Sequence, residues 1–239
     1  GTSEGEADFF GRKQAVALVK NYQYAGIPVF LNADHCKSFE TAKEAIDAGY
    51  DTVLIDGSLL PFDENINLTK KVVEYGKLIN PDMVIEGELG YIRGSSEIQK
   101  VVAISPEDYT RPEKAEEFVK KTGVERLAIA FGNIHGITSE QEEVLDLTVL
   151  EKVAGAVSDT QLVLHGASGL SDLDVREAIK GGITNVHINT ELRVAYYQAL
   201  KRQIETDPKQ TTPYKFLQPA YEATKDIVNN KINLFELKS

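Results

Sequence analysis

The sequence is poor in the residues that mark several classes of protein. Cys36 is the single cysteine among 239 residues, so an internal disulfide is excluded and the composition fits a reducing compartment, which we expect to be the cytoplasm. No stretch approaches twenty apolar residues, and no membrane span is predicted. Lys and Arg number 26 against 37 Asp and Glu, and the net charge of −11 argues against partners such as nucleic acid or anionic membrane surfaces.

Histidine is also scarce, but three of the four histidines end apolar, strand-like runs: PVFLNADH at His35, LAIAFGNIH at His135 and QLVLH at His165. In a barrel of parallel strands such ends converge on one mouth. Three imidazoles with an open fourth position are typical of a catalytic zinc site. The pattern therefore predicts a metal enzyme. The alternative for any one histidine is a core residue bonded to a backbone carbonyl, and Cys36 is either a further ligand or a buried free thiol.

Strand-like and helix-like runs alternate along the chain. The strand-like runs are Pro28–His35, Asp51–Ser58, Met83–Gly90, Arg126–Asn133, Gln161–Ser168 and Asn185–Leu192. The runs of helical period are Phe39–Ala48, Asn65–Leu78, Pro112–Lys121, Leu147–Val157 and Leu173–Lys180, followed by a helical tail over 192–239 with a break at Thr212-Pro213. This alternation predicts one domain, 1–239, built on a parallel sheet covered on both faces.

Polar residues follow every predicted strand, which is typical of a TIM (β/α)8 barrel. Six strands are visible, whereas a barrel needs eight. The opening GTSEGEADFFG, which has no initiator methionine, is interpreted as the end of a strand followed by a loop. We therefore expect the first βα unit and most of the second strand to lie outside this sequence or to be replaced by an unusual segment.

Five blocks of sequence resemble one known family. They are NADHCKSFETAKEAIDAGYDTVLIDGSLLPFDENINLTKKVVEYG, IEGELG, FGNIHG, LVLHGASGL and NVHINTEL, and the tail KFLQPAYEATKDIV is similar as well. The resemblance is to the class II, metal-dependent ketose-bisphosphate aldolases, with the blocks in family order. It implies a lyase of carbohydrate metabolism that cleaves a phosphorylated ketose into dihydroxyacetone phosphate and an aldehyde, or condenses the two. It also implies a metal-stabilised enediolate and a homodimer or homotetramer.

The resemblance assigns roles to the histidines and to the aspartate before the first of them. The family's ligands to one zinc ion per chain fall on His35, His135 and His165. Asp34 falls on the acid/base carboxylate that exchanges a proton with the aldehyde-side hydroxyl. Because Asp34 and His35 would face opposite sides of a regular strand, we expect the backbone to turn there. The alternative for Asp34 is a partner that orients a metal-bound histidine.

Two further carboxylates match positions near the metal in the family. Asp56 and Glu88 can take an alternative or second cation, divalent or monovalent, or can orient a histidine instead, and both interpretations stay open. Glu86 should share the face of Glu88 because side chains two residues apart on a strand point the same way.

Small residues follow the last two predicted strands, and this pattern is found in loops that bind an anion. Backbone N–H groups and hydroxyls of such loops can hold a phosphate, although a Gly-Ser loop taken alone is more often a plain turn. The resemblance implies that the phosphate end of the substrate binds these loops and the glycine after the second histidine. The predicted substrate-binding residues are Gly136, Gly166, Ala167, Ser168, His187, Ile188, Asn189 and Thr190.

The sequence departs from the family at positions that handle the substrate. Asn32 replaces a common histidine, and His187 replaces an asparagine that contacts the ketose. The family's proton-abstracting glutamate aligns with Ser96, so we expect Glu97, one residue later, to take that role. The loop after Gly136 lacks the usual basic residue. Two alternatives therefore stay open: an aldolase-related enzyme for a different sugar or sugar phosphate, and a metal-binding barrel that has lost turnover.

Overall fold

The computed structural model describes residues 1–237, which form two compact units. The first unit comprises residues 1–91, 109–130 and 152–163. The second comprises 92–108, 131–151 and, among the described residues, 164–237. The fold is of the α/β class.

A parallel sheet forms the centre of the first unit. Its strands are β1 (Asn32–Cys36), β2 (Thr52–Ile55), β3 (Val84–Leu89), β5 (Arg126–Ile129) and β7 (Gln161–Leu164), paired in that order. All four residues of β2 are buried, as expected for a parallel sheet covered on both faces. Around it lie α1 (Glu4–Phe10), α2 (Arg12–Tyr24), α3 (Phe39–Ala48), α4 (Phe62–Ile79) and α5 (Pro112–Thr122), and α6 (Leu147–Ala156) begins in the second unit.

The second unit contains a two-stranded parallel sheet of β4 (Gly94–Gln99) and β6 (His135–Thr138). It also contains β8 (Ile183–Val186); just beyond β8, the His187 N–H donates to the Leu164 carbonyl at 2.8 Å. The helices are α7 (Asp172–Lys180), α8 (Thr190–Thr206), α9 (Pro213–Phe216) and α10 (Gln218–Phe235), and 3₁₀ turns span Pro106–Asp108 and Ala167–Gly169. Within the predicted helical tail over 192–239, helices are interrupted over residues 207–212, and residues 238 and 239 lie outside the described residues. None of the helices within residues 1–237 combines the length and apolarity needed to cross a bilayer.

The interpretation of the first eleven residues is partly wrong. Thr2 does pair with Ala33 in a parallel bridge, as the end of a strand would. The residues after it are the helix α1 rather than a loop. Ser3 accepts from the Glu6 N–H at 3.4 Å while the Glu6 carboxylate accepts from the Ser3 N–H at 2.9 Å, and this reciprocal cap starts the helix.

Three predicted strands extend too far. The run over 126–133 ends as a strand at Ile129, so His135 opens β6 instead of ending a strand. The run over 161–168 ends at Leu164, and the run over 185–192 is wrong, because β8 ends at Val186 and α8 begins at Thr190. The segment after β5, residues 130–134, is largely apolar and buried, so hydrophobicity does not distinguish it from the strand.

Candidate metal and substrate-binding site

The backbone turns at His35, as expected from the sequence. His35 has a φ of +52°, which is unusual for a residue with a side chain, and the pairing of β1 with β2 shifts register between Ala33 and Cys36. The Thr2 carbonyl accepts from the Asp34 N–H at 2.8 Å and supports this irregular end of the strand. The alternation of a regular strand is thereby broken between Asp34 and His35.

His35 meets two buried carboxylates in the first unit. Its Nδ1 lies 2.9 Å from Asp56 Oδ2 and 3.3 Å from Glu88 Oε2. The side chains of Asp56 and Glu88 are only 3% and 2% exposed. One ligand atom from each of the three residues lies within 4.8 Å of the other two. This donor set of one imidazole and two carboxylates suits a divalent cation.

Asp56 has partners on both oxygens. Its Oδ1 accepts from the Ser58 hydroxyl at 2.6 Å and the Ser58 N–H at 3.0 Å, while the Lys37 ammonium donates to Oδ2. Burial favours the neutral acid, but the bonds from His35, Lys37 and Ser58 outweigh it, so the pKa of Asp56 lies below its usual value. Asp56 is therefore an anion held in one orientation beside His35.

The two carboxylates also determine the charge of His35. Burial lowers its pKa, but hydrogen bonds to Asp56 and Glu88 outweigh burial and raise the pKa to about 11. The two carboxylates therefore favour a positive charge at His35. A buried cluster that favours a positive charge is chemically suited to a metal ion.

Glu86 and Glu88 lie on β3 two residues apart, and both are buried. Gly87 between them packs against Phe118, where a methyl group would lie 2.6 Å from a ring carbon. The Asn65 amide donates to the Glu88 carbonyl at 2.9 Å and holds the end of β3. The first unit thus brings together His35, Asp56 and Glu88, with Asp34 beside His35 in the chain.

The remaining predicted residues lie in the second unit, where three histidines are neighbours. The rings of His135 and His165 have their centroids 6.2 Å apart, and those of His165 and His187 are 4.0 Å apart. The Asn133 amide donates to the His165 carbonyl at 3.0 Å, and Asn133 Oδ1 accepts from the Phe131 N–H. Asn133 is a supporting residue that sequence reasoning missed, although it stands in the quoted FGNIHG block.

The loop after β7 and the start of α8 also meet. Ser168 Oγ accepts from the Asn189 N–H at 3.3 Å and from the Glu191 N–H at 3.4 Å, and the Ala167 N–H donates to the His187 carbonyl at 3.3 Å. The predicted strand over 185–192 does not hold His187 and Asn189, because β8 ends at Val186. Residues 187–189 are irregular and all half-buried, with Asn189 in the position before the first turn of α8.

Gly136 packs closely against the backbone of strand β4. Its φ is +100°, and a methyl group there would lie 2.3 Å from the Ser95 carbonyl oxygen and 2.5 Å from that of Glu97. The Gln99 side chain donates to the His135 carbonyl at 2.8 Å, and Arg193 donates to the Ser96 carbonyl at 2.8 Å. The segment that carries Ser96 and Glu97 is thus paired with the strand that His135 opens, and the side chain of Glu97 is exposed.

Glu143 is a further residue that sequence reasoning missed. It is 5% exposed, and its carboxylate touches the turn Ala167–Gly169, since a methyl group at Gly169 would lie 1.8 Å from Glu143 Oε1. Burial raises the pKa of Glu143 to about 7. Nothing in the acidic run SEQEE distinguishes this glutamate from its exposed neighbours, so no sequence signal identified it.

The whole chain, residues 1–239, matches the family described as fructose-bisphosphate aldolase class-II. The chain belongs to this family. A fructose-bisphosphate aldolase of Staphylococcus epidermidis is 38% identical over 98% of this chain and 81% of its own length, and one from Staphylococcus aureus is 37% identical over the same shares. Among solved structures, the YdjI aldolase of Escherichia coli K12 is similar with a TM-score of 0.77 and 32% identity, over 98% of this chain and 78% of that one.

Membership of the class II aldolases identifies the chain as an enzyme of the lyase class. The expected resemblance is confirmed, and it covers both units. The histidine–carboxylate cluster of the first unit is a possible metal site of the kind that a metal-dependent aldolase requires.

Proposed function

We propose that this class II aldolase is zinc-dependent and cleaves or condenses a ketose bisphosphate, with dihydroxyacetone phosphate and an aldehyde on the other side of the reaction. The observation that carries the proposal is the family match over residues 1–239. We further propose that the parallel sheet belongs to a TIM barrel. The parallel β1-β2-β3-β5-β7 arrangement supports this, as does the likeness to solved aldolases.

The proposed zinc ligands are His35, His135 and His165. Asp56 and Glu88 contact Nδ1 of His35, which supports a role in orienting the ring so that its other nitrogen binds the metal. The same two carboxylates with His35 suit a second divalent or a monovalent cation. The chemistry that the zinc ion supplies when bound is Lewis-acid polarisation of the ketose carbonyl.

We assign Asp34 to proton exchange with the aldehyde-side hydroxyl and Glu97 to proton abstraction at the carbon next to the carbonyl. The unusual backbone at His35 supports the first assignment, because it breaks the alternation that would separate Asp34 from His35. Glu97 is exposed on β4, within a segment that pairs with the strand of His135.

The phosphate group is assigned to Gly136, Gly166, Ala167, Ser168, Ile188, Asn189 and Thr190. The hydrogen bonds from the N–H groups of Asn189 and Glu191 to Ser168 support this assignment, since they join the loop after β7 to the first turn of α8. A helix start is a favourable environment for an anion.

A specific observation favours a second candidate, an aldolase for a different sugar or sugar phosphate. The His187 ring lies 4.0 Å from the His165 ring, in a position where the family has an amide. An imidazole there changes the size and hydrogen bonding of the pocket.

The test of turnover uses zinc-loaded protein and dihydroxyacetone phosphate alone in deuterated water. Exchange of the hydroxymethyl proton needs no knowledge of the aldehyde, so it separates an active enzyme from a metal-binding barrel without turnover. A panel of aldehydes then identifies the condensation partner. We expect about one zinc per chain and complete loss of exchange after chelation. A protein that binds no zinc contradicts the metal proposal, and absence of exchange in zinc-loaded protein contradicts turnover.

The role of Asp34 in proton exchange is tested by replacing it with asparagine, the corresponding amide. Asp34→Asn should retain zinc and slow carbon–carbon cleavage by roughly 10²–10⁴-fold, the scale of a lost acid/base group. Asp82→Asn, a change at an exposed aspartate, is the matched control. Cleavage at the wild-type rate would show that Asp34 only orients its neighbours.

A further inference from the structure

Glu143 is a buried carboxylate without a compensating charge. It is 5% exposed, and neither of its oxygens meets a donor at hydrogen-bond geometry among the described residues. Its side chain is also absent from the ion pairs of the described residues. Carboxylates are rarely buried in this way, because ionisation in an apolar environment is costly. Such a group within a family that binds anionic substrates requires an explanation from its surroundings.

The surroundings are the turn to which the phosphate group is assigned. A methyl group at Gly169 would lie 1.8 Å from Glu143 Oε1 and 2.7 Å from its Cδ, so the carboxylate rests on the backbone of the turn Ala167–Gly169. Ser168, one residue earlier, accepts hydrogen bonds from the N–H groups of Asn189 and Glu191. The loop after Gly136, where the family often has a basic residue, here supplies an acid to the same turn.

The groups that face Glu143 are few. The turn Ala167–Gly169 has no titratable side chain, and the Thr138 N–H of β6 lies outside hydrogen-bond geometry but near enough to lower the pKa of Glu143 against the larger effect of burial. His135 is the titratable residue of β6, and Glu142 is the charged neighbour in the chain. No charged side chain is among the causes of the shift, and burial raises the pKa to about 7.

We propose that Glu143 is a specificity-determining residue of the anion site: its carboxylate is fully protonated when a dianion occupies the turn. An ionised Glu143 would repel a dianion across a poorly solvated contact, whereas the neutral acid removes the repulsion and adds an O–H donor. A dianionic phosphate ester should therefore bind with a proton, and its affinity should fall as the pH rises above neutrality. The inference rests on the proposed phosphate site.

The probe is inorganic sulfate, a dianion that does not itself titrate near neutral pH. Calorimetric titration of the holoenzyme at pH 7, in two buffers that differ in ionisation enthalpy, counts the protons taken up with each sulfate. We expect about half a proton for the wild type, because a group with a pKa near 7 is half protonated beforehand. Glu143→Gln should lose this uptake. Between pH 6 and pH 8 the wild-type Kd should rise about tenfold relative to that of the variant.

Three variants make the result specific. Glu142→Gln removes the same charge from an exposed neighbour and should behave as the wild type. Ser168→Ala should weaken sulfate binding, which places the ion on the turn. Glu143→Leu repeats the test if the amide disturbs folding, which a thermal melt reports.

The outcomes separate the inference from the proposed function. Equal proton uptake in the wild type and Glu143→Gln overturns the role of Glu143 and leaves the phosphate site intact. Sulfate that binds unaffected by Ser168→Ala, or no sulfate binding, overturns both the inference and the phosphate assignment. Deuterium exchange into dihydroxyacetone phosphate reports separately whether the aldolase reaction stands.

Discussion

His35 shows how a single residue connects the chain's geometry to its chemistry. Its positive φ turns the end of β1, and its Nδ1 meets Asp56 and Glu88, two carboxylates from the next two strands of the sheet. The sequence left open whether these carboxylates bind a cation or orient a histidine. Their contact with Nδ1 favours orientation, because a metal-bound imidazole generally donates its other N–H to a carboxylate or carbonyl.

Asp56→Asn should therefore weaken zinc binding by about 10- to 100-fold, the usual effect of losing such an orienting carboxylate. Zinc affinity is measured by competition with a chelating dye. Ser58→Ala removes one hydrogen bond to Asp56 Oδ1 and leaves the contact with His35, so its effect should be much smaller. Equal zinc affinities in Asp56→Asn and the wild type would contradict the orienting role.

The raised pKa of Glu143 predicts how the stability of the protein depends on pH. This pKa is raised from 4.5 to about 7 in the fold, so the native state binds more protons than the unfolded state between these values. The free energy of unfolding should therefore fall as the pH rises from 4.5 to 7 and show no further contribution from this group above 7. The shift corresponds to a loss of about 3 kcal/mol at most.

Urea denaturation at several pH values tests the sign. Glu143→Gln lacks the titrating group and should gain stability relative to the wild type across the window from pH 4.5 to 7. A constant difference between the two proteins over that window would mean that Glu143 keeps its ordinary pKa in the fold.

At the scale of elements, helices were predicted better than strands. The boundaries of α3, Phe39–Ala48, are confirmed because both ends carry local signals: Ser38 caps the first turn, and Gly49 ends the helix with a φ of +96°. Strand ends have no comparable cap. The run from Arg126 continues through Asn133 with buried residues although β5 ends at Ile129. The pairing of β4 with β6 joins segments distant in the chain, so local sequence could not reveal it.

The turn after β7 depends on one glycine. Gly166 has a φ of +71°, and a methyl group there would lie 1.8 Å from the Ile134 carbonyl oxygen. Gly166→Ala should cost about 2 kcal/mol or more in stability and weaken sulfate binding, because the backbone must move. Gly155 in α6 has open space around it, so Gly155→Ala should be neutral or gain about 0.5–1 kcal/mol. Thermal melts and sulfate titration of both variants provide the comparison. Equal melting temperatures of Gly166→Ala and Gly155→Ala would contradict the requirement for glycine at position 166.

At the scale of the whole molecule, we expect a homodimer or homotetramer. The α8 residues Tyr196 and Tyr197 are 39% and 64% exposed, and Phe216 and Leu217 after them are half-buried. Aromatic residues such as these tyrosines are enriched in the cores of protein interfaces. Light scattering at micromolar concentration should give two or four chain masses of 26.4 kDa. A mass of one chain would contradict the expectation, and Tyr197→Glu should shift the protein toward it.

The sequence by itself determined the α/β class, most of the helices and the family, because caps, periodicity and motif blocks are local properties of the chain. Only the tertiary structure decided which atoms meet: that Asp56 and Glu88 share Nδ1 of His35, that β4 pairs with β6, and that Glu143 rests on Gly169. These contacts join residues 21 to 53 positions apart or lie in irregular loops. Their geometry depends on packing across elements, which a single sequence does not record.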